Sequence, residues 1–398
     1  MCYTEFIAIW KGIYMSEKKF ITAWGNATSI AEYRPEQYAK NLTLRYPVKL
    51  FLSGTAIRIR LDNFCGTENV TVSSANFAVS CGKDHIHTET LKALTFDGKT
   101  SITIPAGKSV LSDTLPYSIE AGKQYAISLY FSDYTQMRSG IVITGPLSGG
   151  YFAIGNQTDS PLLDPNLSKP INHYYFLTDI EVQTDATCKT LICYGDSITA
   201  QAWPDYLMER AFSLTKGKRA IIRRAACGTR ILRQYDNITY ASYGLKGEIR
   251  FPREIEAQNA DAVLIQHGIN DIIHPVGTDV NPFRPWSDLP SADELINGLR
   301  HYIEIAHQHD LSVYLGTLLP IEGWRTYAPF REDLRCAVNE WICTTDEADG
   351  FVDFAAALSD PSHPSSFANG FDSGDHLHPS TAAYQRMAEI IPKDWLDI

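Results

Sequence analysis

The stretch TLICYGDSITAQAWPDYLMERAFSL, Thr190–Leu214, decides how the chain is read. It opens on TLICYG, a short apolar run of the kind that fills a strand covered on both faces. It closes on WPDYLMERAFSL, where apolar residues recur at helical spacing. Between the two stands GDSITA, which puts an acid and a hydroxyl at the exit of a strand and the entry of a helix.

Downstream the same alternation repeats. RAIIRRAA (219–226), DAVLIQHG (261–268), LSVYLGTLLP (311–320) and GFVDF (350–354) read as strands. SADELINGLRHYIEIAHQH (291–309), FREDLRCAVNEWICT (330–344) and TAAYQRMAEII (381–391) read as helices. Strands alternating with helices indicate a parallel sheet covered on both faces, whose ligands bind beyond the carboxyl ends of the strands.

Upstream the period changes to two. AIRIRLDN (56–63), VTVSSANFAVS (70–80), SITIPAG (101–107), YAISLYFSD (125–133) and GIVITG (140–145) are short alternating runs broken by Gly, Asn, Asp and Pro. Such runs predict an antiparallel sandwich. HYYFLTDIEVQT (173–184) reads as its last strand, and residues 145–170 as a loop over its surface. The chain therefore divides into a β-sandwich over 1–185 and an α/β domain over 186–398. Its 398 residues exceed what one hydrophobic core usually serves.

Composition narrows the function. Apolar residues make up 44% and charged residues 20%, as in an ordinary globular protein. A net charge of −11 and a pI of about 5.5, with no long basic run, leave no footprint for nucleic acid or an anionic membrane. Eight cysteines (Cys2, Cys65, Cys81, Cys188, Cys193, Cys227, Cys336, Cys343) form no CxxC pair and read as reduced. The N-terminal MCYTEFIAIWKGIYMSEKK lacks the parts of a signal peptide, and no apolar run approaches the ~20 residues of a spanning helix. Met15 is an alternative start, and the expected compartment is the cytoplasm.

The chemically capable residues fall just after the strands. Ser197 follows the first, Gly228 the second, and Asn270 and Asp271 the third, while FDSGDHLHPST (371–381) leads into the last helix. Taken singly, Ser197 or Asp196 is a helix cap, Gly228 a turn glycine, Asn270 a loop residue and His378 an exposed side chain. Their conjunction at one sheet edge has a chemical reason. A serine hydroxyl needs an imidazole to take its proton, and the imidazole needs a carboxylate to fix its tautomer. Asp375 stands three residues before His378, a spacing that lets the carboxylate fold back onto Nδ1; Asp372 is the weaker alternative. The N–H groups of Ser197 and Gly228 and the amide of Asn270 would hold the developing oxyanion.

In this order YGDSIT, CGTR, GIND and DHLHP resemble the four marker blocks of the SGNH (GDSL) hydrolases. The resemblance covers the whole second half and matches Ser197, Gly228, Asn270 and His378 to the family's named residues, with Asp375 as triad acid. It implies a three-layer α/β/α, flavodoxin-like sandwich around a five-stranded parallel sheet. It also implies a serine carboxylic ester hydrolase with no cofactor and no metal. The second block departs locally, with Ala226-Cys227 where an asparagine more often precedes the glycine. LTLRYPVKLFLSGTAIRIRLDNFCG (42–66) and ITIPAGKSVLSD (102–113) resemble the jelly-roll-like β-sandwich that precedes the catalytic domain in a subgroup of bacterial SGNH esterases. Related arrangements occur among carbohydrate deacetylases.

The same residues admit rival readings. Asp375, His376, His378 and His363, or the HQHD run at 307–310, would suit a metal-dependent hydrolase, but neither has a recognised ligand spacing. A non-catalytic carbohydrate-binding protein does not explain why every reactive position is occupied by a competent residue. Between lipid and carbohydrate esters, polar and aromatic loops at the reactive edge favour an acylated carbohydrate or another small ester. Trp286, Trp324 and Tyr327 would stack on sugar rings, with Glu322 and Arg325 on hydroxyls. These aromatics would equally serve a core edge or a contact between copies of the chain, which leaves a homo-oligomer open. The resulting expectation is an esterase removing short acyl groups, acetyl foremost, from carbohydrate; a broad short-chain aryl or alkyl esterase, or a lipase-like GDSL hydrolase, is the runner-up.

Overall fold

In the computed structural model, residues 17–31 and 38–397 are described. The expectations for FIAIW, the leader and Met15 lie outside them. Period-two runs do form two antiparallel sheets. The larger orders its strands as Ser168–Ile171, Gly150–Ile154, Leu42–Lys49, Gln124–Phe131, Ser74–Gly82 and His85–Ile86, with Lys92–Ala93 also on Ser74–Gly82. The smaller runs Lys18–Gly25, Leu177–Asp185, Gly54–Asp62 and Ser109–Leu111, with Leu115–Ile119 also on Gly54–Asp62. Alternate residues of facing strands, among them Leu44, Tyr46, Val48, Ile57, Ile59, Leu61, Phe77, Ile127 and Leu129, meet in one core between the sheets.

Three local expectations are corrected, and one strand joins that the alternation did not mark. HYYFLTDIEVQT is two strands, because the chain turns a corner at Phe176. There a buried phenylalanine sits at φ 65°, its N–H on the Ser139 carbonyl (3.1 Å) and its carbonyl on the Asp62 N–H (2.7 Å). His173–Tyr175 pairs with Ser139–Val142 in a small separate sheet, while Leu177–Asp185 lies between Lys18–Gly25 and Gly54–Asp62. VTVSSANFAVS likewise divides at Ser73 between two sheets. The expected loop 145–170 contributes two strands at the edge of the larger sheet, where Pro170 can lack a donor. Lys18–Gly25 is a strand without alternation, since its second half is buried on both sides against the sandwich and the next domain.

From Lys189 the apolar runs form one five-stranded, all-parallel sheet. Its order is Arg219–Ala225, Lys189–Gly195, Ala260–Gln266, Ser312–Gly316 and Gly350–Val352. The first strand in sequence is thus flanked by the second and third, and chain direction diverges around its carboxyl end, where α/β sheets bind ligands. Local signals set several helix ends. Ser291 accepts the Glu294 N–H and Glu294 returns to the Ser291 N–H, a capping box opening Ala292–Gln308. Pro204 sits in the first turn of Trp203–Thr215, which ends at Lys216 in the left-handed region. Trp203, Leu207, Leu299, Ile303, Val338 and Met387 bring the helices onto the sheet.

The two parts are bolted together by buried charge. Arg224 pairs with Asp179, and Arg253 reaches Asp62 at 2.8 Å. Asp205 pairs with Arg223 and also accepts the Leu147 N–H at 2.9 Å and the Ser148 hydroxyl at 3.1 Å. Backbone joins them as well, Thr22 N–H donating to the Gln258 carbonyl at 3.1 Å. Among the described residues the seven cysteines are free, and no helix is long and apolar enough to cross a membrane.

Candidate active site

The turns after the first three parallel strands carry Ser197, Gly228 and Asn270. Gly195 ends the first parallel strand beneath Gln266 and Thr199, where a Cβ would stand 2.3 Å from the Gln266 carbonyl oxygen, so only glycine fits the bend. Asp196 then caps a one-turn helix by accepting the Ile198 N–H (3.0 Å), and Ser197 becomes its first residue. From the far end of the sequence, the turn before the last helix brings in His378. Its Nε2 lies 2.8 Å from Ser197 Oγ and its Nδ1 lies 2.7 Å from Asp375 Oδ2.

Asp375 is organised for a negative charge. Its Oδ1 accepts the N–H groups of Leu377 (3.0 Å) and His378 (2.8 Å) and the Ser373 hydroxyl (3.2 Å). Partial burial works to raise its pKa, but the His378 ring and these backbone donors outweigh it and draw the group down to about 2. Asp372 is spent elsewhere: its Oδ2 pairs with His376 Nδ1 at 2.6 Å, and its Oδ1 accepts the Gly374 and His376 N–H groups. The two acids and two histidines of 371–381 therefore form two separate pairs.

Gly228 stands at φ 78°, and a Cβ there would meet the Tyr243 ring at 2.5 Å. Neither its N–H nor that of Ser197 donates to an acceptor among the described residues. Asn270 is buried in the short helix Ile269–Ile273; one amide hydrogen is held by the Thr229 carbonyl (3.1 Å), which leaves the other. Ser197, Gly228, Asn270 and His378 all line one cleft of about 380 Å³.

Trp324 and Arg325 line the same cleft, with the guanidinium 4.6 Å from the indole centroid. Trp286 and Tyr327 do not. Trp286 stands over the Arg331 guanidinium and edge-on to Phe330, and Tyr327 packs on the domain core. The remaining wall was not foreseen. Val142 and Thr144 come from the sandwich, while Cys227 and Tyr243 come from the segment after the second strand. Burial pushes the Cys227 thiol up to about 11, so it packs as a thiol and not as a competing nucleophile.

Beneath the turns lies a polar layer that sequence reasoning also missed. Asp271 accepts the N–H groups of Ile231 (2.7 Å) and Leu232 (3.0 Å), fixing the segment beyond Gly228. Arg250, fully buried, pairs with Glu254 (2.7 Å) and donates to Thr229 Oγ1 (2.7 Å). Burial raises Asp196 to about 7, opposed by the Arg250 charge, and raises Asp271 to about 6. The charged segment around Arg250, GEIRFPRE, carried no sign of this task; the signal available was the charge of Asp271 directly after Asn270.

Residues 193–386 match the GDSL-like Lipase/Acylhydrolase family. The second half of this chain is a GDSL-like acylhydrolase domain. The protein is accordingly a carboxylic ester hydrolase. Among solved structures, the acylhydrolase is similar to an acetylxylan esterase of Geobacillus stearothermophilus, at 20% identity over 51% of this chain and 91% of that one, with a TM-score of 0.38. It is also similar to a lipase/acylhydrolase of Enterococcus faecalis (17%, 52% and 95%, 0.39) and to a GDSL-like lipase of Bacteroides thetaiotaomicron (18%, 52% and 87%, 0.35). A search of the curated proteins found no match.

Proposed function

We propose that this acylhydrolase is a serine esterase that removes short acyl groups, acetyl foremost, from carbohydrate. The observation that carries the reading is the continuous relay from Ser197 through His378 to Asp375, at 2.8 and 2.7 Å, opening into a cleft edged by Trp324. Ser197 Oγ attacks the ester carbonyl carbon while His378 Nε2 takes its proton. Asp375 keeps the other ring nitrogen protonated and stabilises the imidazolium. The carbonyl oxygen gains the negative charge, and the N–H groups of Ser197 and Gly228 and the Asn270 amide receive it. Collapse of this adduct breaks the ester C–O bond, and His378 returns the proton to the departing sugar oxygen. Water, deprotonated by the same imidazole, then cleaves the acyl-enzyme to the carboxylic acid and free serine.

The cleft supports a short acyl group because about 380 Å³ must hold both sides of the ester, near the lower end of the ~300–1,000 Å³ of small-molecule sites. Trp324 offers a stacking face and Arg325, Gln201 and Thr144 offer hydrogen bonds, a lining suited to a hydroxyl-rich alcohol. The apolar share of the wall, Val142, Ile273 and Leu377, favours a second reading as a broad short-chain aryl or alkyl esterase. Ser197→Ala should keep the fold and abolish p-nitrophenyl acetate hydrolysis and fluorophosphonate labelling; turnover near wild type would end the serine assignment. A panel of acetylated saccharides against butyryl and longer aryl esters decides between the two substrate readings.

A further inference from the structure

Among the described residues, the sandwich reaches the catalytic cleft through a single segment. After the strand Ser139–Val142 the chain passes Thr144, whose N–H donates to the Ala200 carbonyl at 3.2 Å, only three residues beyond Ser197. Asp205 then fixes the following turn by accepting Leu147 N–H and Ser148 Oγ, itself held by Arg223 in a pair buried on both sides. Gly145 packs so closely on Asp205 that a Cβ would stand 2.3 Å from its carboxylate. The segment is thus seated from the catalytic half and not merely appended to it.

A second cleft of about 440 Å³ adjoins the first and shares Thr144 and Gln201 with it. Its far wall is Asp372, Ser373, Thr381 and Tyr384, from the turn and helix on either side of His378. Both segments flank His378, the group that returns the proton to the leaving alcohol in the proposed reaction. The Tyr384 ring is buried, and its hydroxyl has no hydrogen-bond partner among the described residues. A buried hydroxyl without a partner is unfavourable, and a polar ligand or a water that reaches it would relieve this.

Resting on the carbohydrate reading above, we propose that the sandwich completes the substrate site. Its segment 142–145 forms the sill between the two clefts, and the second cleft receives the sugar unit next to the acylated one. The occupant is a neutral, hydroxyl-rich residue, because the lining supplies hydroxyl and amide groups with one aromatic ring, and the one carboxylate, Asp372, is paired with His376. The enzyme then prefers acetylated oligosaccharides to acetylated monosaccharides.

The test compares kcat/KM for an acetylated monosaccharide and the corresponding disaccharide, with p-nitrophenyl acetate alongside. The full-length enzyme should favour the disaccharide by about tenfold, the worth of one to two hydrogen bonds, mainly through KM. Thr381→Trp, an exposed position, should bring the ratio to near one by filling the cleft, and Tyr384→Phe should lower it part-way. A wild-type ratio near one, or an unchanged tenfold ratio in both variants, overturns the subsite. If p-nitrophenyl acetate is cleaved but no acetylated saccharide is, the carbohydrate reading falls and the subsite with it. Retained p-nitrophenyl acetate turnover in Ser197→Ala would sink the triad alone and leave the ratio readable.

Discussion

Replacing Asp375 by Asn separates the two carboxylates of 371–381 by mechanism. The Asp375 carboxylate takes four donors: His378 Nδ1 on Oδ2, and His378 N–H, Leu377 N–H and Ser373 Oγ on Oδ1. Asparagine has a single acceptor oxygen, which the two backbone donors claim. Its NH₂ then faces Nδ1, and that nitrogen must become the acceptor. The ring proton moves to Nε2, which now donates to Ser197 Oγ and can no longer take its proton. A tautomer inverted in this way costs about 10⁴ in kcat, about 5 kcal/mol of barrier. Asp372→Asn disturbs only the His376 pair and should slow turnover by less than about tenfold. Initial rates on p-nitrophenyl acetate, with thermal unfolding midpoints as the control for folding, read both variants. An Asp372 variant slower than the Asp375 variant, or an Asp375 variant keeping a tenth of the wild-type rate, would refute the reasoning.

Three further outcomes follow from the same geometry. Asn270→Ala should lower kcat by ~10²–10³ with little change in KM, since the donor acts on charge present only in the transition state; a KM effect alone would remove Asn270 from the oxyanion site. Asp205→Ala strands a buried Arg223 and frees Leu147 and Ser148, so denaturant titration should show a loss of about 3–5 kcal/mol, against under about 1 kcal/mol if the pair were solvated. The folded state holds the Asp196 proton up to about pH 7 while the unfolded chain releases it near pH 4, so wild-type stability falls as pH rises through that window. Asp196→Asn removes the titration, and the stability difference, variant minus wild type, should grow by up to about 4 kcal/mol from pH 4 to 7; a constant difference would contradict the burial argument.

What could be read in the sequence was whatever local pattern dictates. All five parallel strands were legible as short apolar runs between turn signals, continuous where both faces are buried, as in Leu191–Tyr194 and Val263–Ile265. The Asp375–His378 contact was legible because three residues of turn suffice to make it. Phe176 was not, since a bulky residue at positive φ is held by partners at Ser139 and Asp62, far away in sequence. Nor was the cleft wall. Val142 and Thr144 read as ordinary strand residues until Asp205 draws their segment across, and Tyr243 reaches Gly228 only through the packing of its own loop. Trp286 stands outside the cleft for the converse reason: it packs over the Arg331 guanidinium, which the carbonyls of Ile272 and Pro275 hold.

The buried charged residues that hold the turns of the site share a physical character. Asp196, Asp205, Asp271, Arg223 and Arg250 are all buried, and each anchors a turn through backbone groups or through a partner that does. Burying such charges is at best neutral for stability against a well-packed apolar alternative. Their effect is instead directional. A carboxylate accepting two consecutive N–H groups, as Asp271 does at Ile231 and Leu232, fixes the path of the chain more tightly than apolar contact can. The turn bearing Gly228 is tied this way on one flank and through Arg250 and Thr229 on the other. Donors held so firmly need little reorganisation when charge develops on a carbonyl oxygen, which is where preorganised sites gain their rate. The raised pKa values of Asp196 and Asp271 are therefore the stability cost of a rigid ester site.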